Sequence, residues 1–553
     1  MNDFRRNFLW VVFAMSLVLL WDAWNKHNGQ PTLLGAPIAT ETASAPGGVP
    51  ASGAVAPAAA GTPATAAVPS NSPGETVVIT TDLLKVTLAS RGGDVVRAEL
   101  LAYPDDQDAS HPVVLMDESA QRTYLAQTGF IGQAGGAALP NHYTAMAVQP
   151  GERSLKDGTD ELSVVFTSPA VNGAQWVKTL TFRRGQYAVA VKNELRNSGS
   201  APINAQVYLQ IQRDGTPPPG GSSFYSTFTG PAIYSDEKKF QKVEFKDIEK
   251  RKAGDTVGHV TKSNEGWVAM VQHYFTSAWL VNAPGAREFV TKKDKDNLYS
   301  VAMVQPLAAV APGASVAHES VLYVGPQEEN KLAALATGLE LVKDYGVLHI
   351  LAKPLFWVLD QLHKLIGNWG WAIVGLVVLL KIAFYWLNAS AYKSMAKMKA
   401  INPRIQELRE RMKDKPQEMQ QEMMRIYREE KVNPIGGCLP IFIQMPFFMA
   451  LYWVLMATVE MRGAPWILWI TDLSAKDPYF ILPALMTATS LLQVWLGPKA
   501  GDEMQQKMMW IMPLMFGVMF FFFPAGLVLY WLTNNILSIA QQWMINKQLG
   551  VTN

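Results

Sequence analysis

The stretch from Trp369 to Trp386 is apolar throughout except for one lysine, Lys381. A run of that length and hydrophobicity reads as a transmembrane helix, which constrains this chain more than any other feature. About ten residues separate Trp371 from Lys381, roughly 15 Å at helical rise. The ammonium is therefore expected inside the hydrocarbon, towards one end of the span, at a cost on the order of 2.5–3.5 kcal/mol. No Asp or Glu falls in any other apolar span of the chain. With no internal ion pair to offset it, the lysine is a candidate functional residue.

Further apolar segments fall near 436–459, 479–496, 509–523 and 525–545, and Pro524 marks a tight turn between the last two. Near the N-terminus, Arg5-Arg6 precedes an apolar run from Phe8 to Leu20, followed by Trp21 and Trp24. No Ala-x-Ala site follows directly, and interfacial tryptophans suit a retained anchor over residues 1–28 better than a cleaved signal peptide. The expected fold is an α-helical polytopic membrane protein of six spans, with both termini on one side. Charged residues are only 17% of the chain, below the globular norm of about 25%.

Net charge is +2, so bulk charge points to no partner, but the placement of charge is informative. Segment 388–435 holds eleven Lys/Arg and seven acids. Basic excess beside two spans fixes that segment in the cytoplasm, in agreement with Arg5 and Arg6 inside. Met398, Ile405 and Met412 share one heptad position, and Ile401 and Leu408 the other. Asp414-Lys415-Pro416 breaks the pattern, and Met419, Met423 and Ile426 resume an apolar stripe. Two short helices in an antiparallel hairpin are expected, with Asn402 capping a start at Pro403. The methionines pack the hairpin, or meet varied apolar partners.

Residues 29–75 are almost wholly Ala, Pro, Gly, Ser and Thr, a composition that buries no core and reads as a disordered tether. From 76 to 328 the pattern changes. Thr76–Thr80 is β-branched, and 162–166, 177–182, 187–195 and 205–211 alternate or run apolar between turn residues. Short strands at this spacing read as a large β-sandwich. The single cysteine, Cys438, excludes an intramolecular disulfide. Within 329–368, Leu348, Leu351, Leu355, Val358, Leu359, Leu362 and Ile366 recur at helical spacing. That is an amphipathic helix interrupted near Pro354, lying in the membrane interface or packed on the β-domain.

Enzyme signatures are missing. There is no Walker A loop, no nucleophile elbow and no His-Glu-x-x-His, and the eight histidines show no metal-ligand spacing. Neither catalysis nor a cofactor is expected, although paired carboxylates in the β-domain would be invisible in one dimension. Besides Lys381 the spans carry Gln444, Gln493, Thr533, Asn534 and Asn535. These either bond between helices or line a wet cavity shared with Lys381. Lysine snorkelling towards Tyr385 and Trp386 is a third reading.

Four motifs then carry a resemblance: Ser-Met-Ala-Lys-Met (394–398), Lys-Val-Asn-Pro-Ile-Gly-Gly-Cys-Leu-Pro with Ile-Gln-Met-Pro (431–446), Asp-Leu-Ser-Ala-Lys-Asp-Pro-Tyr (472–479) and Phe-Pro-Ala-Gly-Leu-Val-Leu-Tyr-Trp (523–531). The chain resembles the YidC insertase family along its whole length. The resemblance implies an inner-membrane protein with residues 25–368 periplasmic and both termini cytoplasmic. It also implies a β-domain like a sugar-binding supersandwich without sugar chemistry, and a five-span core over 369–547. Its implied activity is insertion and folding of newly made membrane proteins, alone or with the Sec translocon. Insertion would run through a hydrophilic groove open to cytoplasm and lipid.

The groove's positive residue falls on Lys381, where arginine is usual. Charge is kept but the planar five-donor fork is lost. By the same resemblance Met445 and Phe448 on the third span, and Tyr530 and Trp531 on the sixth, would line the substrate path, while the residue reading puts the client's polar flank near Lys381, Gln444 and the sixth-span amides, Asn534 among them. A second tyrosine is frequent where Trp531 stands. Partners implied are nascent membrane proteins, the Sec translocon with its accessory subunits, membrane lipids, and the ribosome through loops 388–435 and 497–508. The short tail 548–553 lacks the long basic extension some relatives use to hold ribosomes, and no sequence-specific nucleic-acid contact is expected. A transporter or channel with a periplasmic sensor domain is the rival reading. Transporters commonly show internal repeats, and none is visible here.

Overall fold

A computed structural model describes residues 74–548 of the chain, apart from 106–107, 219–226, 253–254, 256, 413–414, 431–438 and 498–502. The expected anchor (1–28), nearly all of the tether (29–75), Cys438 and the tail after 548 lie outside the described residues. The chain divides into two units at Gly325/Pro326.

In the first unit, alternation of side chains sets the faces of the strands. Val77 and Ile79 of Thr76–Thr80 point inward, as do Leu162, Val164 and Phe166 of Glu161–Thr167. The strands form two antiparallel sheets of ten and nine strands. The central strands of the first sheet are Asp94–Pro104, Thr123–Ala134, Ala205–Asp214 and Leu298–Pro306. Those of the second are Ala174–Arg183, Ala188–Asn197, Phe275–Leu280 and Ser315–Pro326. Side chains bridge the sheets face to face. Tyr124 and Ser277 hydroxyls lie 2.8 Å apart, and the Trp279 indole donates to the Gln210 carbonyl at 2.9 Å. Among the described residues, a short helix, α1 (Phe245–Glu249), is the other regular element in this unit.

The sandwich interior is not purely apolar. Lys178 is 2% exposed and donates to the Gly92 carbonyl at 3.0 Å, with Asp94, fully buried, at 3.9 Å. Gln127 donates to the other Asp94 oxygen at 3.1 Å. Burial drives the Asp94 carboxyl up and the Lys178 ammonium down, against their mutual attraction. The two residues come from opposite sheets, so the pair links the sheets across the core. Breaking such a pair costs about 3–5 kcal/mol, far more than its net contribution to stability.

The second unit is helical: α2 (Glu329–Leu335), α3 (His349–Ile366), α4 (Trp369–Ala383), α5 (Tyr385–Arg411), α6 (Pro416–Glu429), α7 (Leu439–Ala457), α8 (Ile481–Leu496), α9 (Glu503–Phe520) and α10 (Ala525–Gln548). Its core joins Leu355, Phe356 and Leu359 of α3 to Ile373 and Leu376 of α4, Leu451 and Val454 of α7, Met486 of α8 and Val528 of α10. Apolar residues on the opposite side of α3 stay outward, with Ile350 74%, Trp357 63% and Leu365 83% exposed. Asp477, buried in the loop before α8, accepts from the Tyr479 and Leu482 amides and the Trp469 indole at 2.7–3.0 Å. That anchors the first turn of α8, where donors lack helical partners.

Four expectations need correction. First, α3 runs unbroken through Pro354, because a proline this near the start removes one early bond while the apolar stripe keeps packing. Second, α5 is a single helix of 27 residues with Pro403 inside it, so neither Asn402 nor Pro403 marks a start. The hairpin seam explains this: Met398, Ile401, Ile405 and Leu408 pack continuously across the proline against Met423, Ile426 and Tyr427. Third, α9 begins at Glu503, so much of the expected loop 497–508 is helix. Hydropathy registers only the apolar part of a helix, whereas Glu, Met, Gln and Lys are good helix formers.

Fourth, the expected span 369–387 breaks. Among the described residues no single helix is long and apolar enough to cross a membrane. Helix α4 with the start of α5, Tyr385–Ala391, passes that test together, but the two meet at 66°. No proline or glycine stands at the joint. Phe384 sits at φ −94°, ψ 12°, and its ring meets Phe447 of α7 edge-on at 5.0 Å. Tertiary packing, which no local pattern announces, accompanies the bend.

Candidate functional site

Helix α4 starts at Asn368, whose side chain accepts from the Trp371 amide at 3.1 Å. Trp369, Ala372, Ile373, Leu376 and Val377 form its buried stripe, at spacings of three and four. Position 381 is the next residue four along from 377, so Lys381 leaves the helix on the packed side. It is half-buried, and its ammonium donates to Ser538 Oγ of α10 at 2.7 Å. Ser538 in turn donates to the Asn534 carbonyl at 2.7 Å. Among the described residues no carboxylate pairs with Lys381. Its contact is neutral, and the positive charge is not cancelled.

The polar residues of α10 divide into two groups about Ser538. Asn535 donates to Ser490 Oγ at 2.7 Å and Thr489 Oγ1 at 3.3 Å, and Gln542 donates to the Leu496 carbonyl at 3.2 Å. Both therefore knit α10 to α8. Thr533 bonds back to its own helix at the Leu529 carbonyl. Asn534, half-buried, lies one turn before Ser538.

Two turns towards the start of α10, three of the expected residues meet. The Phe448 ring stacks near Tyr530 at 5.9 Å between centroids and meets Trp531 edge-on at 4.4 Å. Phe520 of α9 closes the group at 5.5 Å from Trp531. Tyr530 is only 3% exposed, whereas Met445, at the start of α7, is 47% exposed. The Gln444 side chain lies outside the described residues. The structure thus brings Lys381 together with the Asn534 turn, and Phe448 with Tyr530 and Trp531. Ser538 was missed by sequence reading. A serine one turn beyond Asn534 in a helix also carrying Gln541 and Gln542 was the available signal.

Two family models divide the chain. One, described as the YidC periplasmic domain, matches residues 76–358, and the other, the 60Kd inner membrane protein, matches 361–551. Together they define a bacterial inner-membrane protein with a large all-β periplasmic domain. Curated relatives extend the match end to end. The membrane protein insertase YidC of Bordetella pertussis is 50% identical, covering 99% of this chain and 98% of the relative. That of Cupriavidus necator is 50% identical over the same shares, and that of Janthinobacterium sp. is 48% identical over 100% of both chains. The chain belongs to the YidC membrane protein insertase family. A solved structure of an active YidC insertase, with its first transmembrane domain resolved, aligns at 19% identity over 84% of this chain and 92% of that one, with a TM-score of 0.40.

Proposed function

We propose that this protein inserts newly made membrane proteins into the inner membrane, through a polar groove centred on Lys381, and assists their folding. One observation carries the reading: an ammonium in the last turn of an apolar helix is held by a serine hydroxyl instead of a carboxylate. A cation kept in that state costs free energy and is retained where it meets a passing charge. The groove receives the polar flank of a client, attracted by the positive field, and so shortens the hydrocarbon that the flank crosses. The apolar segment then passes Met445, Phe448, Tyr530 and Trp531 into lipid. Partition of about 20 apolar residues drives the step.

The architecture that goes with this reading is an anchor at 1–28, a tether at 29–75 and a periplasmic domain at 76–328. An interfacial helix follows within 329–368, and a five-span core over 369–547 places both termini in the cytoplasm. The outward apolar residues of α3 support its interfacial placement. The hairpin of α5 and α6 is the place of first capture. Partnership with the Sec translocon, and ribosome contact through the hairpin and the segment before α9, belong to the same reading.

Replacement of the native protein by Lys381→Ala, Lys381→Glu and Lys381→Arg variants, with insertion of small single-span clients as readout, is the test. Arginine is expected to support insertion and glutamate to abolish it for clients with acidic flanks. Insertion of those clients by Lys381→Glu at the wild-type level would remove the positive groove from the mechanism.

A further inference from the structure

Two buried amides follow the Lys381–Ser538 pair in sequence and are not used by the packing: Gln541, three residues beyond Ser538 on α10, and Asn388, seven residues beyond Lys381. Gln541 is 7% exposed, and both its amide nitrogen and its amide oxygen are without a hydrogen-bond partner. Asn388, on α5, is 6% exposed, and its amide nitrogen is likewise without a partner. An unsatisfied buried polar group costs about 1–3 kcal/mol and calls for an explanation. Helix geometry supplies the context. At about 100° per residue, Asn535 and Gln542 lie to one side of Ser538, the side that bonds α8. Asn534 and Gln541 lie to the other side. The satisfied amides hold the bundle together, and the unsatisfied one falls on the remaining face of the same helix, which packs on both α4 and α5.

We infer that Gln541 and Asn388, beside the Lys381–Ser538 pair, form a main-chain binding site for the polar flank of a client. The inference rests on the insertion reading above and names what the groove recognises there. A side-chain carboxamide presents one acceptor and a donor side by side, the complement of a peptide group, whereas a carboxylate needs donors only. A flank drawn into a low-dielectric groove carries peptide N–H and C=O groups that have lost water, each costing several kcal/mol if unpaired. Amides satisfy them whatever the side chains are. Lys381 then discriminates flanks by charge, and Gln541 with Asn388 accept any sequence. Entry passes between α5 and α10. Both amides are buried here, so entry requires α5 and α10 to part.

The test uses the full-length protein in proteoliposomes and single-span clients made by cell-free translation. In one client a flank residue is replaced by its α-hydroxy acid, so a main-chain N–H, which Gln541 Oε1 would accept, becomes an ester oxygen, and the preceding carbonyl, to which the Asn388 and Gln541 amide nitrogens would donate, becomes a weaker ester acceptor, with the side chain unchanged. The readout is the ratio of insertion rates, amide client over ester client, for clients of acidic and of neutral flank. A main-chain site makes that ratio about three- to tenfold larger in wild type than in Gln541→Met or Asn388→Leu, equally for both flanks. The two replacements match the originals in size, and each is read independently, so misfolding of one leaves the other informative.

Equal ratios in wild type and both variants overturn the inference and leave the amides as seats for ordered water. A difference confined to acidic flanks also overturns it, in favour of charge recognition alone. Lys381→Glu, run in parallel, reports separately on the insertion reading. If it inserts acidic-flank clients normally, the groove reading fails whatever the ester clients show.

Discussion

Glu460→Gln removes one half of a buried ion pair that joins the segment before α3 to the turn after α7, beneath the Phe356 ring of α3. Lys343 has a fully buried side chain, and its ammonium lies 3.2 and 3.5 Å from the two Glu460 oxygens. The Phe356 ring of α3 covers the same ammonium, 3.7 Å from the ring centroid. Removing the carboxylate strands a lysine in low dielectric, which costs about 3–5 kcal/mol. The aromatic face attracts the cation before and after the substitution, so the expectation stays at about 3–5 kcal/mol.

Lys343→Met costs less, about 1–2 kcal/mol, because Glu460 is 20% exposed and can turn to water. The double variant Lys343→Met/Glu460→Gln returns to within about 1 kcal/mol of wild type, since no buried charge remains. The measurement is amide hydrogen exchange across His349–Ile366 in nanodiscs, which reads the opening of α3 directly. Opening is expected to rise by roughly 150- to 5,000-fold in Glu460→Gln and to fall back in the double variant. A double variant as labile as Glu460→Gln would refute the reasoning, because the cost would then not come from a stranded charge.

Two further outcomes follow from the geometry. Burial lowers His142 and His318 from an ordinary 6.5 to about 4 each, helped by repulsion from Lys292 and Arg287 respectively. The unfolded chain therefore takes up these protons first, and the β unit loses stability as pH falls from about 6.5 towards 4, with no contribution above that window. Thermal melting followed by exchange in the strands should show the loss, and a flat profile between pH 7 and 5 would contradict it. A Cβ added at Gly517 on α9 would stand 2.4 Å from Thr487 Oγ1 on α8. Gly517→Ala should destabilise by about 1–3 kcal/mol, and Thr487→Ala in the same chain should restore most of the loss. Failure of that rescue would place the crowding elsewhere.

The strands were legible because a sheet buried on one side prints its period of two into the sequence, as Thr76–Thr80 and Glu161–Thr167 do. The helices were legible to within a few residues wherever they are apolar. Prolines misled twice, at Pro354 and Pro403, since a rule about local hydrogen bonding is overruled by a continuous packed seam. The polar start of α9 gave hydropathy nothing to register.

Of the candidate site, the anomaly at Lys381 was plain, and so were the aromatic residues that meet on α7 and α10. The Ser538 contact and the difference between Asn535 and Gln541 depend on which way each side of α10 faces. A single sequence does not hold that information, because serine and amides in a span read the same in either role.

The break at Phe384 makes one rigid arm of the hairpin. Helix α5 has 27 residues and is about 40 Å long at helical rise. The joint lies three residues after Lys381, so a rotation of about 10° at Phe384 would sweep the far end through about 7 Å. By the same lever, a load at the tip would become a small, forceful rotation beside the lysine. Occupancy at the outer end of the hairpin and the packing around the buried Asn388 would thus be two readings of one angle.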